Sequence, residues 1–517
     1  MEILKDIFLY NQDSPLLFTQ LLFWVFFAVV LIVFSLIYKK KLIRTAFLFI
    51  SSLFFYWKTG GYFFVLLLIT TFVDFYVGKF IFLAKTKQKK KILLLISLVF
   101  NLSILAYFKY SYFIIGSINS VFHTDIQVVN LFAQWTNSLT NTHFDVSSII
   151  LPVGISFYTF QSLSYVIDIS KGKLKPVDNI IDYGFFVTFF PQLVAGPIVR
   201  ATHFIPQIYQ KFKLTKDDFG HAIFLIMNGL IKKMIISDYI SINFVDRVFD
   251  SPLSYSGFEN LMATFGYGIQ IYCDFSGYTD IAIGVALLLG FRIPINFNSP
   301  YKAKNISDFW KRWHISLTSW FRDYLFFPLA LRFSKKLKKQ KYAFIKADYI
   351  IYFYAALFTF IITGLWHGAA WRFVVWGAIH GIWIVSHRFW ITHIRKKRRK
   401  SKINNFFSVA ITFILLNFTW IFFRATDQQH ISDMFYQIFM HFSWEVIPEM
   451  IISYKVVFVL IIGGYIIHWL PKNFKIIYEN CFKATPVWAK AVIVAIVVIT
   501  CYQAISSDVQ PFIYFQF

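Results

Sequence analysis

Residues 361–372 place one histidine, His367, beside Trp366 and among small residues, between two long apolar stretches of the sequence. An ionisable side chain at membrane depth is costly unless it faces a protein interior or a water-filled cavity. Imidazole changes its charge near neutral pH and serves as a general acid or base in many enzymes. A buried histidine can also be a structural group, because buried polar side chains need hydrogen-bond partners in any protein. The position of His367 therefore indicates either proton-transfer chemistry or a buried structural contact.

A second histidine, His314, follows a run of aromatic and cationic side chains, near which Ser307 has the position of a helix N-cap. The moderately apolar segment 315–332 comes next and contains Arg322 and Asp323. This segment is too short and too polar to cross a membrane. We therefore expect a re-entrant segment that carries His314 from the cytoplasmic side into the protein.

Four cations lie close to this segment: Lys302, Lys304, Lys311 and Arg312. A basic entrance of this kind would attract a phosphorylated donor such as coenzyme A, or an acidic carrier protein. The same cations are also expected simply because cytoplasmic loops are rich in Lys and Arg. Both explanations are open for each individual cation.

Two carboxylates, Asp274 and Asp280, interrupt the long apolar stretch 259–290. Neither can face lipid at low cost. Six residues apart, they lie roughly 120° apart around a helix that turns about 100° per residue. We expect them to make different contacts, either as polar links between helices or as cavity-lining groups.

The composition indicates an all-α polytopic membrane protein. Of the 517 residues, 57% are hydrophobic and 15% are charged, and the mean hydropathy is +0.58. With about 20 apolar residues per span, the sequence predicts about 11–12 transmembrane helices plus re-entrant segments. Two stretches are ambiguous, 181–199 because of its prolines and 219–240 because of its two lysines. Each of them either spans the membrane or forms a re-entrant or interfacial segment. The simplest division is a single integral membrane domain, 1–517.

The net charge of +25 reflects membrane topology rather than nucleic-acid binding. Most Lys and Arg fall in short runs between apolar stretches, whereas the loop 116–146 has neither residue. Cytoplasmic loops carry such an excess of positive charge. We therefore expect the basic runs in the cytoplasm and the N-terminus outside it. These runs are 39–41, 85–91, 171–175, 335–341 and 395–402.

Other classes of site have little support. The three cysteines are far apart and form no CxxC pair, so neither a disulfide framework nor a metal site is expected. No internal repeat of the transporter kind is visible. A transporter whose buried His, Arg and Asp residues relay protons remains the alternative from a different functional class.

Several strings of residues resemble, in the same order, the motifs of the membrane-bound O-acyltransferase (MBOAT) family. The most specific are Phe309-Trp310-Lys311-Arg312-Trp313-His314-Ile315-Ser316-Leu317, then 320–324, then Gly364-Leu365-Trp366-His367-Gly368. Upstream strings at 152–161, 190–198, 229–233 and 274–280 are similar to the same subgroup, that of alginate O-acetyltransferase membrane subunits and D-alanyl export proteins. The resemblance covers roughly residues 40–425, and residues 426–517 would add C-terminal membrane helices.

The resemblance implies a central tunnel through which an acyl group passes from a cytoplasmic thioester to a hydroxyl. It implies that His367 is the catalytic histidine and His314 a second, supporting one. It leaves open which of them is the general base. Candidates for lining the tunnel or touching substrate are Asp274, Asp280, Trp313, Arg322, Asp323 and Trp366; candidates for donor binding are Lys302, Lys304, Lys311 and Arg312.

The resemblance also suggests the setting of the reaction. We expect a multi-pass protein of the bacterial cytoplasmic membrane, with no bound cofactor and with acetyl-coenzyme A as the acyl donor. An acyl carrier protein is the alternative donor, as in D-alanyl export. We further expect an extracytoplasmic acetyltransferase partner and a glycan acceptor, because this subgroup works with separate proteins outside the cytoplasm.

The asymmetry of the basic runs predicts the orientation of the chain. In a variant without its native cysteines, Gln88→Cys should react only from the cytoplasmic side and Thr136→Cys only from outside, because the first lies in a basic run and the second in a loop without cations. An impermeant maleimide applied to intact cells, before and after permeabilisation, measures this. Labelling of position 88 in intact cells would contradict the orientation.

Overall fold

The computed structural model describes residues 9–11, 15–140, 143–337, 340–342, 345–394, 402–504 and 512–513. Most of the predicted basic run 395–402 and part of the run 335–341 lie outside these residues. The chain divides into two compact units, Met1–Phe212 and Lys213–Phe517.

The regular secondary structure of the first unit's described part is helical, with loops between the helices. Its α-helices are Leu21–Ile37, Lys41–Gly60, Phe64–Leu83, Lys87–Leu105, Ser111–Phe122, Leu131–Thr140, Ile155–Ser170, Ile180–Thr188, Phe190–Leu193 and Ala201–Ile208. A 3-10 turn, Gly61–Phe63, and a π-helical turn, Ala106–Tyr110, join neighbouring helices.

An aromatic cluster and a polar cluster hold this unit together. Phe23 packs on Phe18, Phe55 and Phe190, with ring centroids 4.6–6.3 Å apart. In the polar cluster, the fully buried carboxylate of Asp74 accepts hydrogen bonds from Ser97 Oγ at 2.6 Å and Asn101 Nδ2 at 2.9 Å. These bonds satisfy a carboxylate that could not otherwise lie among apolar helices.

The second unit contains the remaining helices. Its α-helices are Lys216–Leu230, Asp238–Ile240, Asp246–Asp250, Gly257–Leu288, Ile306–Phe309, Ile315–Phe321, Phe327–Lys336, Ala347–His367, Trp371–Phe389, Lys402–Arg424, Gln428–Met440, Ile447–Ser453, Lys455–Trp469, Lys472–Ala484 and Val487–Ala504. The turns are π-helical at Ile231–Ser237, Ser241–Val245, Arg322–Phe326 and Trp390–Ile394, and 3-10 at Pro252–Ser254 and Pro300–Lys302. Within the described residues, strands are limited to the antiparallel pair Lys341–Tyr342 and Ile345–Lys346.

The long helix Gly257–Leu288 forms the centre of the second unit. It begins at a capping box in which Ser256 Oγ accepts the backbone N–H of Glu259 and the Glu259 carboxylate accepts that of Ser256. It packs along Lys216–Leu230 and is buried over most of its length. A Cβ at Gly229 would lie 2.6 Å from the carbonyl oxygen of Gly277, so glycine allows the close approach of the two backbones.

The helical, membrane-spanning character predicted from the sequence is confirmed. Within the described residues, seven helices are long and apolar enough to cross a membrane, or up to eight if one pair bent by 88° counts as one span. The seven are Lys41–Leu83, Lys87–Phe122, Lys216–Asp250, Gly257–Leu288, Ala347–His367, Ile403–Arg424 and Val487–Ala504; the bent pair is Ile447–Ser453 with Lys455–Trp469.

This count is below the number of apolar stretches for two physical reasons. Some stretches form short helices: Ile155–Ser170 has 16 residues and is therefore about 24 Å long, against a hydrocarbon thickness of about 30 Å. Elsewhere two predicted spans form one continuous helical segment. Lys41–Leu83, which contains the turn Gly61–Phe63, is such a segment and is counted as one span.

The structure separates the two ambiguous stretches. Residues 181–199 contain most of one short helix, Ile180–Thr188, and all of another, Phe190–Leu193, and both are too short to cross a bilayer. By contrast, Lys216–Asp250 is helical over 35 residues and is long and apolar enough to cross a membrane. Lys232 and Lys233 are tolerated within it because each binds a carboxylate of Gly257–Leu288.

The helix start predicted at Ser307 is wrong by two residues. The N-cap of Ile306–Phe309 is Asn305, whose Oδ1 accepts the backbone N–H of Asp308 at 2.9 Å. Ser307 lies inside the helix, and its hydroxyl is 3.2 Å from His387 Nδ1. Asn caps helices at least as well as Ser does, so the motif alone does not distinguish the two positions.

Two glycines bring the helices on either side of His367 together. Ala347–His367 packs against Trp371–Phe389, and Gly364 faces Gly377 across the contact. A Cβ at Gly364 would lie 2.1 Å from the carbonyl oxygen of Phe373, which is backbone and cannot rotate away. The close contact of these helices therefore requires a residue without a side chain at this position.

We predict that Gly364→Ala lowers the free energy of unfolding by about 1–3 kcal/mol, or more if the helices separate, because the added methyl group overpacks this contact. Gly463→Ala is the matched control, since its Cβ meets no atom within 4 Å. Thermal melting of the detergent-solubilised protein compares the two variants. Equal melting temperatures for both would contradict the assigned contact.

Candidate active site

His367 is the last residue of the helix Ala347–His367, and its side chain is buried. Its ring is surrounded by three aromatic rings, those of Trp366, Trp376 and Phe423, with centroids 5.0–5.2 Å away. The neighbouring rings come from three successive helices of the second unit. This enclosure excludes water from most of the imidazole and fixes its orientation.

His314 occupies a sharp turn just before the helix Ile315–Phe321. Its backbone has a left-handed conformation, φ 42° and ψ 55°, which is uncommon for a residue other than glycine. Its side chain is fully buried, and Nδ1 lies 3.2 Å from Oδ1 of Asn296. Burial lowers the pKa of the His314 imidazole to about 3, so the ring is neutral at physiological pH.

Trp366 lies between the two histidines. Its ring centroid is 5.0 Å from that of His367 and 6.0 Å from that of His314. The structure therefore brings together three residues that are up to 53 positions apart in the sequence. Phe275 of the central helix covers the other side of His314, at 4.7 Å in an edge-to-face arrangement.

A cavity of about 380 Å³ lies in the same part of the second unit. This volume is within the range of about 300–1,000 Å³ that is typical of small-molecule sites. Thr363, one helical turn before His367, is among the lining residues. Most of the wall is apolar and includes Trp310, Leu317, Phe321, Ala356 and Phe360.

Two exposed cations border this cavity, Lys311 and Arg322. Arg322 also binds its neighbour Asp323, with Nε 2.8 Å from the carboxylate, and this hydrogen bond raises the pKa of the guanidinium. Asp323 is not among the lining residues. Of the six tunnel candidates, Arg322 lines the cavity and Trp366 contacts both histidines.

The other candidate donor-binding cations make separate contacts. Lys302 donates a hydrogen bond to the carbonyl oxygen of Leu470 at 2.6 Å, and burial and Arg312 lower its pKa. Arg312 forms an ion pair with Asp308 at 2.9 Å. Lys304 is exposed. The structure thus places Lys311 at the cavity and does not place the other three among the residues that line it.

Trp313 belongs to an aromatic core. It is fully buried and packs on Phe309 at 5.6 Å and Trp420 at 5.0 Å, and it does not line the cavity. It also contacts Phe297 at 5.0 Å. Because Trp313 precedes His314 in the sequence, its packing anchors the turn at His314 and does not contribute to the cavity wall.

Asp274 and Asp280 bind two adjacent lysines. Asp274 is 2.6 Å from Lys233, which also binds Asp238 at 2.8 Å. Asp280 is 2.5 Å from Lys232. The two carboxylates therefore make different contacts, and neither lines the cavity.

The second oxygen of Asp274 binds a distant part of the chain. It accepts the backbone N–H of Ile513 at 2.9 Å, and the ring of the preceding Phe512 packs on Tyr278 at 4.4 Å. Lys233 Nζ lies 4.6 Å from the centroid of the same Phe512 ring. The ion pair thus also anchors the last described residues of the chain to the central helix.

Sequence reasoning missed three residues of the site: Asn296, Trp376 and Phe423. Asn296 lies between the apolar residues Ile295 and Phe297, and this is the one signal that could have drawn attention to it. Neither aromatic ring has a signal, because aromatic residues are abundant in this sequence. Among the described residues, there is no group of three or more His, Cys, Asp or Glu side chains that could hold a metal ion.

Comparison with known proteins identifies the class that this fold and site define. Residues 177–426, which include both histidines, match the membrane-bound O-acyltransferase family. The chain is 31% identical over 454 residues to the probable alginate O-acetylase AlgI of Pseudomonas putida, covering 84% of this chain and 86% of that protein. The chain therefore belongs to the membrane-bound O-acyltransferase family.

Two further relatives are named for different activities. The peptidoglycan O-acetyltransferase of Helicobacter pylori is 34% identical over 380 residues, which cover 68% of this chain and 66% of that protein. The teichoic acid D-alanyltransferase of Bacillus subtilis is 29% identical over 298 residues, covering 56% and 72% respectively. The chain thus spans slightly less than two thirds of the length of the Helicobacter relative.

The buried ion pairs generate a prediction about stability. Lys233→Ala should lower the free energy of unfolding by about 3–5 kcal/mol, because it leaves the carboxylates of Asp274 and Asp238 without their cation. Lys232→Ala is the control and should cost less, because both partners of its pair with Asp280 are partly exposed, at 25% and 21%. Thermal melting in detergent measures both. Equal losses of unfolding free energy in the two variants would show that the burial of an ion pair does not determine the cost of removing its lysine.

Proposed function

We propose that the protein transfers an acyl group, specifically acetyl, from a thioester donor on the cytoplasmic side to a hydroxyl of an extracytoplasmic polysaccharide or partner protein. The observation that carries this proposal is the pair of buried histidines that both contact Trp366. Neither histidine lines the apolar cavity, but Ile315, next to His314, and Thr363, one helical turn before His367, do, and cations border it. Family membership supports the acyl-transfer chemistry.

In the proposed reaction, the hydroxyl oxygen of the acceptor attacks the thioester carbonyl. A new C–O bond forms and the C–S bond breaks. An imidazole takes the proton from the attacking hydroxyl and delivers it to the departing thiolate, so that the catalyst is regenerated. His367 has the surroundings for this role, because aromatic rings on three sides shield it from water.

The proposed donor is acetyl-coenzyme A. The apolar wall of the cavity suits the acyl end of the donor, and the exposed cations Lys311 and Arg322 at its border suit phosphate groups. The positive-inside rule supports a cytoplasmic position for these cations. An acyl carrier protein is the alternative donor, since its phosphopantetheine arm offers the same thioester and one phosphate.

The proposed acceptor is a polysaccharide of the cell envelope, reached with the help of a separate extracytoplasmic protein. The names of the relatives support this class of acceptor, since they refer to alginate, peptidoglycan and teichoic acid. A location in the bacterial cytoplasmic membrane follows, because the donor and such acceptors lie on opposite sides of it. D-alanyl transfer from a carrier protein is the second candidate, favoured by the similarity to the D-alanyltransferase.

We predict that His367→Ala lowers acetyl transfer by about 100-fold or more, because it removes the proton-transfer group. The assay uses the purified protein in vesicles, with labelled acetyl-coenzyme A on one side and candidate glycan or partner protein on the other. His203→Ala is the control, since this exposed histidine lies in the other unit.

Three outcomes separate the hypotheses. Transfer by the wild type that is lost in His367→Ala supports the proposal. Transfer from a labelled acyl carrier protein but not from acetyl-coenzyme A would show that the donor is the carrier protein. Wild-type turnover by a well-folded His367→Ala protein would overturn the assignment of His367.

A further inference from the structure

Asn296 binds the segment around His314 through four contacts. Its side-chain oxygen, Oδ1, accepts the backbone N–H of Ser316 at 3.1 Å and the Ser316 hydroxyl at 2.9 Å, and it lies 3.2 Å from His314 Nδ1. Its backbone oxygen accepts the N–H of Ile315 at 3.0 Å. Asn296 is buried, and it lies 18 residues before the histidine in the sequence.

The identity of the contacting atom follows from the chemistry of its partners. A backbone N–H can only donate, so the atom of Asn296 that faces the N–H of Ser316 must be the carbonyl oxygen rather than the amide nitrogen. The amide oxygen cannot donate a hydrogen bond. Nδ1 of His314 must therefore carry the proton in the contact with Asn296.

A neutral imidazole has only one N–H, and its other nitrogen accepts. We propose that Asn296 is a positioning residue that holds the His314 ring in its Nδ1–H tautomer and thereby presents Nε2 to the reaction as an acceptor. The part of this inference that concerns the reaction rests on the proposed function. In this tautomer His314 accepts a hydrogen bond or proton at Nε2 and does not donate one to a developing oxyanion. The supporting role that the sequence suggested for His314 is therefore one in which Nε2 accepts.

The surroundings of His314 keep the ring neutral and fixed. Phe275 and Trp366 cover it, and the titratable residues next to these rings in the chain are Asp274, which binds Lys233, and His367. The low pKa of His314 has burial as its cause. The bonds to Asn296 also help to stabilise the left-handed backbone at His314.

The first test measures the tautomer directly and needs no substitution at Asn296. The wild-type protein is labelled with ¹⁵N in its histidine rings, and its nitrogen spectrum is compared with that of His314→Gln to assign the His314 signals. We expect a protonated Nδ1 and an unprotonated Nε2. A protonated Nε2 would overturn the inference, whatever the acyl-transfer assay shows.

The second test follows the ¹⁵N signals of the His314 ring as a function of pH in the Asn296→Asp protein. This variant keeps an acceptor at Nδ1 and adds a negative charge, which stabilises the imidazolium and raises the pKa of His314. The pH at which the His314 ring takes up its second proton should therefore move upward by about one unit from the wild-type value, with acetyl transfer from labelled acetyl-coenzyme A retained at high pH.

Two further variants separate positioning from simple structural support. Asn296→Ala removes the acceptor and should lower kcat by about 100-fold, whereas Ser316→Ala removes only the hydroxyl bound to the same oxygen and should leave kcat and the pKa of His314 unchanged. An unshifted pKa of His314 in an active Asn296→Asp protein would overturn the inference. Equal losses of kcat in folded Asn296→Ala and Ser316→Ala proteins would assign Asn296 a structural role only.

Discussion

The second unit depends on one constraint: a polar group among membrane helices must find its partner inside the protein, because lipid supplies none. Lys233 illustrates this, since it lies within a span and is tolerated because Asp274 and Asp238 bind it. The bond between Asp274 and the backbone of Ile513 meets the same requirement. These contacts tie two long helices and the last described residues into one packed unit. The same helix contributes to the site, because Phe275, next to Asp274, packs on His314.

The same constraint explains where the two histidines lie. Each occurs where helical structure is interrupted: His367 ends a helix, and His314 forms a left-handed turn before one. Irregular backbone at membrane depth is stable only when protein surrounds it, and here aromatic rings and Asn296 provide that surrounding. An interruption also lets a side chain point out of the regular packing of a helix. A polar ring can then lie beside a cavity while the helices on either side stay apolar.

The sequence predicts the helical membrane fold and both histidines because hydropathy and a polar group in an apolar stretch are local signals. It does not predict which side chains bind each other in the folded protein. The pairing of Asp274 with Lys233 spans 41 positions and depends on the close approach of Gly229 and Gly277. The role of Asn296 depends on a left-handed turn that no local motif encodes. Hydropathy measures apolar length and does not show where a helix ends, so the apolar stretches outnumber the seven or eight helices among the described residues that are long enough to cross a membrane.

The basic residues show why charge alone does not locate a binding site. Lys302 and Lys311 are nine positions apart and look alike in the sequence. In the structure Lys302 donates to a carbonyl oxygen near the end of Lys455–Trp469, a contact that helix ends favour, whereas Lys311 borders the cavity. Both positions satisfy the excess of positive charge on the cytoplasmic side, so topology explains their presence but not their contacts. A cation that already binds a carbonyl oxygen has fewer donors left for a phosphate, and this makes Lys311, rather than Lys302, the better-placed contact for an anionic donor.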